Sequence, residues 1–170
     1  RLRALPGVQS VSAMSGLPPL RNVVANDTDF EHIPNNPPAG STPIENVDFY
    51  QFVTLDYVET MGIPVLQGRG FEEQDLAGAP AVMVNESLAK KFFTGRDPIG
   101  GRIKRGGPKL PWFTVVGVLK DVKSGGVAEA AGTELYMLAD QGPKAGGFAP
   151  SSMNFVVRST MPLSALANEY

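Results

Sequence analysis

The sequence predicts an α+β fold: mixed sheet with short helices. Two observations lead there. Glycine (19) and proline (15) are plentiful among 170 residues, and such punctuation cuts a chain into short elements, which favours strands over long helices. The apolar runs are short and rich in β-branched and aromatic residues, as at 47–54 and 112–122, the signature of strands. Hydrophobic residues at 42% and charged residues at 19% place the chain among globular sequences. Its length suffices for one domain, or for two small lobes sharing a core.

Element by element, residues 1–5 read as the tail of a helix that Pro6-Gly7 stops. Residues 8–14 read as a strand and 16–20 as a turn carrying two prolines. Residues 21–44 are polar, with Phe30 and Ile33 marking a short strand. The stretch 34–43 (PNNPPAGSTP) reads as a loop, because proline cannot donate to a ladder. In the strand 47–54, Val47, Phe49, Gln51 and Val53 face one side and Phe52 covers the other. A short helix follows, with Asp56 as its cap, Glu59 completing a capping box and Gly62 closing it. Residues 63–66 form a strand that ends in the Gly68-Arg69-Gly70 turn.

Residues 81–84 (AVMV) read as a buried strand. Asn85 then caps a helix over 86–93, with Gly95 beyond its end. Leu88, Ala89, Phe92 and Phe93 share one face of that helix, and Lys90 and Lys91 fall opposite, near the C-terminus where the helix dipole favours cations. Residues 97–101 form a turn, 102–104 open a strand, and Gly106-Gly107-Pro108 makes a hairpin or loop. The strongest strand signal is 112–122 (WFTVVGVLKDV), followed by a Gly/Ala loop at 123–132 and strands at 134–138 and 154–158. Thr160 is placed to cap a C-terminal helix, with Pro162 in its first turn and Leu163, Leu166 and Ala167 on one face.

Composition removes several classes of function. Fifteen basic and 17 acidic residues leave a net charge of −2, which builds no field for nucleic acid, so no nucleic-acid partner is expected. The absence of cysteine removes disulfides, thiol catalysis and cysteine-ligated zinc. The longest strongly apolar run, 112–119, falls well short of the roughly 20 residues a bilayer requires. There is no signal peptide and no initiating Met, so the chain reads as a piece of a longer protein.

The candidate chemical residues have stronger structural readings. His32 is the only histidine, and it sits in a polar stretch as an exposed loop residue rather than the base of a triad. Asp27, Asp29, Glu31 and His32 cluster at the short spacing cation ligands use, yet they lack the glycine and distal glutamate of an EF-hand and read as a solvated acidic edge. Gly100-Gly101, Gly106-Gly107 and Gly125-Gly126 do not lead into a helix with the Lys and Ser/Thr of a phosphate loop, so no ATP site is expected. Glu72, Glu73 and Asp75 follow a turn and suit a helix N-terminus or a surface loop. Arg69, between two glycines, suits an arginine pinned to carbonyls or a carboxylate, with contact to a partner as the alternative. An enzyme would need two of Asp27, Glu31, Glu72 and Asp75 to converge. No catalytic, cofactor-binding or metal residue is assigned.

Taken in order, these segments resemble one family. Leu5-Pro6-Gly7-Val8, then the run from Leu55 to Pro64 (LDYVETMGIP) and that from Leu66 to Asp75 (LQGRGFEEQD), are similar to successive stretches of MacB/FtsX-type ABC transporter permeases. So are Val84-Asn85-Glu86-Ser87-Leu88-Ala89 with Phe92-Phe93, Asp97-Pro98-Ile99-Gly100, the run from Phe113 to Val118 with Asp121-Val122, and Val156-Val157-Arg158. Val58 stands where the family usually has Phe, and Gly101 where it usually has Lys. The resemblance implies the family's extracytoplasmic (periplasmic) core domain, lying between the first two membrane helices of the parent. It implies a porter-like lobe at 1–76 with 150–170 and an inserted lobe at 77–149. It further implies a non-catalytic role without cofactors, transmitting the motion of a cytoplasmic ABC ATPase to a substrate, an adaptor or an envelope partner, with membrane contact through flanking helices and a monomer in isolation. The alternative is a stand-alone extracytoplasmic module that binds a peptide or lipid.

Overall fold

The computed structural model describes residues 2–19, 21, 26–33, 46–106, 109–142 and 150–162. A 3-10 turn (Leu2–Ala4) precedes β1 (Val8–Met14), β2 (Asn26–Phe30), β3 (Asn46–Val47), β4 (Phe49–Val53), α1 (Tyr57–Met61), β5 (Val65–Gly68) and α2 (Glu73–Ala77). Then come β6 (Ala81–Asn85), α3 (Glu86–Phe92), β7 (Arg102–Arg105), β8 (Phe113–Leu119), β9 (Glu134–Leu138) and β10 (Asn154–Ser159). All described strands join one mixed sheet, in the order β10-β1-β4-β9-β6-β8-β7-β2-β3, with β5 beside β8. The pairs β4–β9 and β6–β8 are parallel and the others antiparallel. The observed class is the predicted α+β.

The centre of the sheet is covered on both faces, so β6 and β9 are buried at every position, the pattern of a strand with no solvent side. Alternation then divides the core in two. Val82, Val84, Leu135 and Met137 join Leu88 and Phe92 of α3 on one face, whereas Ala81, Met83, Tyr136 and Leu138 join Tyr57 of α1 on the other. In β8 the alternation breaks. Its pairing with β6 shifts register between Val82 and Met83, so Val115 and Val118, three apart, both reach the α3 face. A bulge of this kind inserts one residue and re-aims the side chains beyond it.

The caps follow the predicted chemistry at the start of α3 and the end of α1. The Asn85 side chain accepts from the Leu88 amide at 3.0 Å, and Gly62 closes α1 in the left-handed region at φ 68°. Asp56, however, caps nothing: its carboxylate is drawn away by Arg3 instead. The capping box belongs to α2, where the Glu72 and Asp75 side chains bond reciprocally with the backbone. Of the two settings expected for that acidic group, it occupies the helix N-terminus.

Other differences are local. The predicted strand 47–54 is split at Asp48. That carboxylate accepts from the Thr133 amide and hydroxyl at 2.7 and 2.8 Å, turning β3 toward β2 and β4 toward β9. The strand expected at 63–66 begins two residues later, because Ile63 is used as a buried residue of the α1-side core. The polar stretch 21–44 contains a full strand, β2, stabilised by charge pairing with β7: Asp29 meets Lys104 at 3.1 Å and Glu31 meets Arg102 at 2.9 Å. The loop expected at 34–43, the Gly107-Pro108 part of the hairpin and the C-terminal helix with Leu163, Leu166 and Ala167 lie outside the described residues.

Candidate functional site

The residues that carry the sequence motifs converge as supports of the fold. Arg69 lies in the turn after β5 and donates to both oxygens of Asp75, at 2.6 and 2.9 Å, and to the Gly70 carbonyl at 3.0 Å. Asp75 also accepts from the Glu72 amide at 2.8 Å. The guanidinium hydrogen bonds, then that amide, hold the Asp75 carboxyl below the usual carboxylate range against the opposing effect of burial. The turn can approach β8 so closely because of two glycines. A Cβ at Gly117 would sit 2.1 Å from the Arg69 carbonyl oxygen, and one at Gly68, where φ is 67°, would sit 2.2 Å from that of Val116. The arginine between glycines is thus pinned to a carboxylate, as its setting predicted.

Asp121, after β8, reaches back to α3 and accepts from the Ser87 amide at 2.9 Å and the Ser87 hydroxyl at 2.7 Å. With Asn85 it satisfies the first amides of that helix. Asn85 does double duty: its oxygen also accepts from the Glu134 amide at 2.9 Å, and its amide group donates to the Gly132 carbonyl at 2.7 Å.

The other candidates are engaged in the same manner. Asp29 and Glu31 form the β2–β7 ion pairs, and Asp27 lies against Gly106. Among the described residues no group of His, Asp and Glu is arranged to hold a metal ion. His32 is half-buried rather than loose in solvent. Its Nε2 is 2.7 Å from the Phe92 carbonyl, and its ring lies 4.6 Å from that of Phe93. Gly101 and Gly106 flank β7, and Gly125-Gly126 lies in the loop before β9.

Sequence reading missed the most buried carboxylate among the described residues. Glu134 opens β9 with its side chain 2% exposed, and Arg21 meets it at 2.6 Å. Tyr136 donates to the same carboxylate at 2.9 Å and Ser124 at 3.2 Å. Arg21 also donates to the Tyr50 carbonyl at 2.8 Å, its amide donates to the Ser124 carbonyl at 3.0 Å, and its guanidinium lies 4.9 Å from the Phe49 ring centre. Burial raises the Glu134 carboxyl, with Arg21 opposing, and burial followed by the charge of Glu134 raises the Tyr136 hydroxyl. The available signal was a carboxylate opening an otherwise apolar strand, ELYML.

Two recesses are notable. One is apolar, lined by Phe52, Leu110, Pro111, Phe113 and Met137 with Arg105 at its side, and its free volume of about 10 Å³ has room for about one water. The other is a polar groove of about 320 Å³ between Arg3, Gln9, Ser10, Asp56 and Glu59. Beside it the two ends of the described chain meet. Gly7 accepts from the Thr160 amide at 3.0 Å and the Ser159 hydroxyl at 3.0 Å, and β1 and β10 run antiparallel from that point. Among the described residues no helix is long and apolar enough to cross a membrane.

Comparison with known proteins places these features. Residues 1–165 match the family model described as MacB-like periplasmic core domain. The periplasmic region of MacB from Actinobacillus actinomycetemcomitans superposes with a TM-score of 0.63 at 20% identity, covering 99% of this chain and 66% of that one. The extracellular domain of the ABC-type transporter YknZ from Gram-positive bacteria gives 0.62 at 18% identity, covering 98% of this chain and 73% of that one. The chain thus spans about two thirds of the length of the MacB region. No curated protein matches the chain.

Proposed function

We propose that this chain, which belongs to the MacB-like periplasmic core domain family, is the non-catalytic extracytoplasmic part of an ABC transporter permease. In this reading it passes the conformational change driven by a cytoplasmic ATPase outward, to a substrate, an adaptor or another envelope protein. The observation that carries the reading is the β1–β10 ribbon. Gly7 and Thr160 are hydrogen-bonded neighbours, so β1 begins beside the point where β10 ends, which suits an insert between two adjacent membrane helices. The residues that looked chemical support it too. Arg69 and Asp75 spend their hydrogen bonds on the turn after β5 and the cap of α2, and Asp29 and Glu31 spend theirs on ion pairs with β7.

The family's two-lobe architecture extends this proposal to 1–76 with 150–170 as one lobe and 77–149 as the other. Limited proteolysis and calorimetry test it: separable fragments and two transitions are expected. A single cooperative transition would overturn it, and the β4–β9 pairing, which joins the two segments by backbone bonds, makes this a demanding test.

The placement is tested in cells expressing the parent protein. The chain has no cysteine, so a Val127→Cys variant, at a position 73% exposed, is uniquely addressable in a parent protein from which any other cysteines have been replaced. Labelling of intact cells, opened only at the outer membrane, by a membrane-impermeant maleimide is expected. Labelling only after lysis of the inner membrane would refute the extracytoplasmic placement.

A further inference from the structure

We propose that residues 12–16 and 51–54 form a polar joint about which the β1–β10 ribbon swings against the central sheet. The inference rests on the reading of this chain as a transmitter of motion, and it names the place where that motion would enter.

The ribbon is tightly made but narrowly attached. β1 pairs with β10 from Val8 opposite Ser159 to Met14 opposite Asn154. Its register with β4 is the single partnership of Met14 and Val53. Two backbone hydrogen bonds flank that point, Ser15 N to the Phe52 carbonyl at 2.9 Å and Thr54 N to the Ala13 carbonyl at 3.1 Å. Side chains extend the seam from there. The Gln51 oxygen accepts from the Ser15 hydroxyl at 3.0 Å and the Gly16 amide at 3.1 Å, and its amide group donates to the Gly16 carbonyl at 2.7 Å. The Ser15 hydroxyl accepts from the Phe52 amide at 3.0 Å, and the Thr54 hydroxyl accepts from the Ala13 amide at 2.9 Å and bonds Ser12 at 3.0 Å.

Two of these side chains are buried, Gln51 at 1% exposed and Ser12 at 2%, and Ser15 and Thr54 are partly buried. A buried polar group costs free energy once it loses its partner, so a swing at this seam must keep these hydrogen bonds made. A backbone ladder also fixes the angle between strands, whereas hydroxyl and amide groups on rotatable side chains can follow a change of angle and stay bonded. The apolar contacts beneath, among Met14, Val53, Tyr57 and Val156, are non-directional and leave that angle to the joint. α1 couples the two parts: it follows Thr54 on the sheet side, with Tyr57 in the central core, and its Thr60 carbonyl accepts from Arg158 of β10 at 3.1 Å.

Hydrogen exchange on the 170-residue chain tests the joint without reference to transport. In Gln51→Ala, the amides of Ser15, Gly16 and Thr54 are expected to exchange about tenfold faster, while those of β6, β8 and β9 stay within about twofold. Acceleration spread evenly over the sheet, or none at the seam, would overturn the proposal. A second variant guards against simple loss of stability. Ser12→Cys/Thr54→Cys, oxidised to the disulfide in the Gln51→Ala background, is expected to restore slow exchange at the seam, and failure to restore it also counts against a joint. The same locked pair is then placed in the parent permease, with spin labels at Gln9 and Lys90. Loss of the ATP-dependent change in label distance on oxidation is expected. If the exchange results hold but that change survives the lock, the swinging motion is refuted. If the exchange results fail, the joint falls and the family-based reading stands.

Discussion

Removing the Glu134 carboxylate is the sharpest test of how the fold is held. Glu134→Ala leaves the Arg21 guanidinium, whose side chain is 13% exposed, beside the Phe49 ring with its counter-charge gone. The Tyr136 and Ser124 hydroxyls, 2.9 and 3.2 Å from the carboxylate, lose their acceptor as well. Breaking one member of a buried pair costs about 3–5 kcal/mol, because the remaining charge is stranded. Urea denaturation followed by circular dichroism reads this directly. With a slope of about 2 kcal/mol per molar, the midpoint should fall by about 2 M. Arg21→Met/Glu134→Leu removes both charges and should regain most of the loss, since paired burial of charge contributes little net stability. The pH dependence has a definite sign. Burial raises the Glu134 carboxyl, so the folded chain holds that proton more tightly than the unfolded chain. The group's contribution to stability is therefore complete below the ordinary glutamate range and is lost as pH rises through the raised value. A midpoint shift under about 0.5 M in Glu134→Ala, or a double variant no better than the single one, would refute the reasoning.

Two further outcomes concern the clasp behind β5. Asp75→Asn should cost about 1–3 kcal/mol, at the lower end because the partner Arg69 is partly exposed. The Asp75 carboxyl is held low by Arg69, so its stabilisation is present above the ordinary aspartate range and lost as pH falls through the lowered value. Melting temperature against pH should thus drop on the acid side in the native chain, and that drop should flatten in Asp75→Asn. Gly117→Ala places a methyl group 2.1 Å from the Arg69 carbonyl oxygen, a backbone atom that cannot swing aside. A loss of at least about 1–3 kcal/mol is expected, and a chemical-denaturation midpoint unchanged from the native chain would show that the turn is not packed on β8 as described.

Local chemistry was enough for the sequence to determine much of this protein. Asn85 caps α3, Gly62 ends α1 and Phe49, Gln51 and Val53 share a buried face, because caps, left-handed glycines and alternation depend on a few neighbouring residues. The ordered motifs also led to the family without any contact being known. Tertiary structure alone decided which polar groups matter. Arg21 and Glu134 are 113 residues apart, Ser87 and Asp121 are 34 apart, and nothing in either local sequence marks one for the other. It likewise decided that Asp56 turns to Arg3 instead of capping α1, and that β8 carries a bulge against β6 which sets Gly117 beneath Arg69. A side chain's partner is chosen by which strands the sheet brings together, and that choice is a property of the whole chain rather than of the residues beside it.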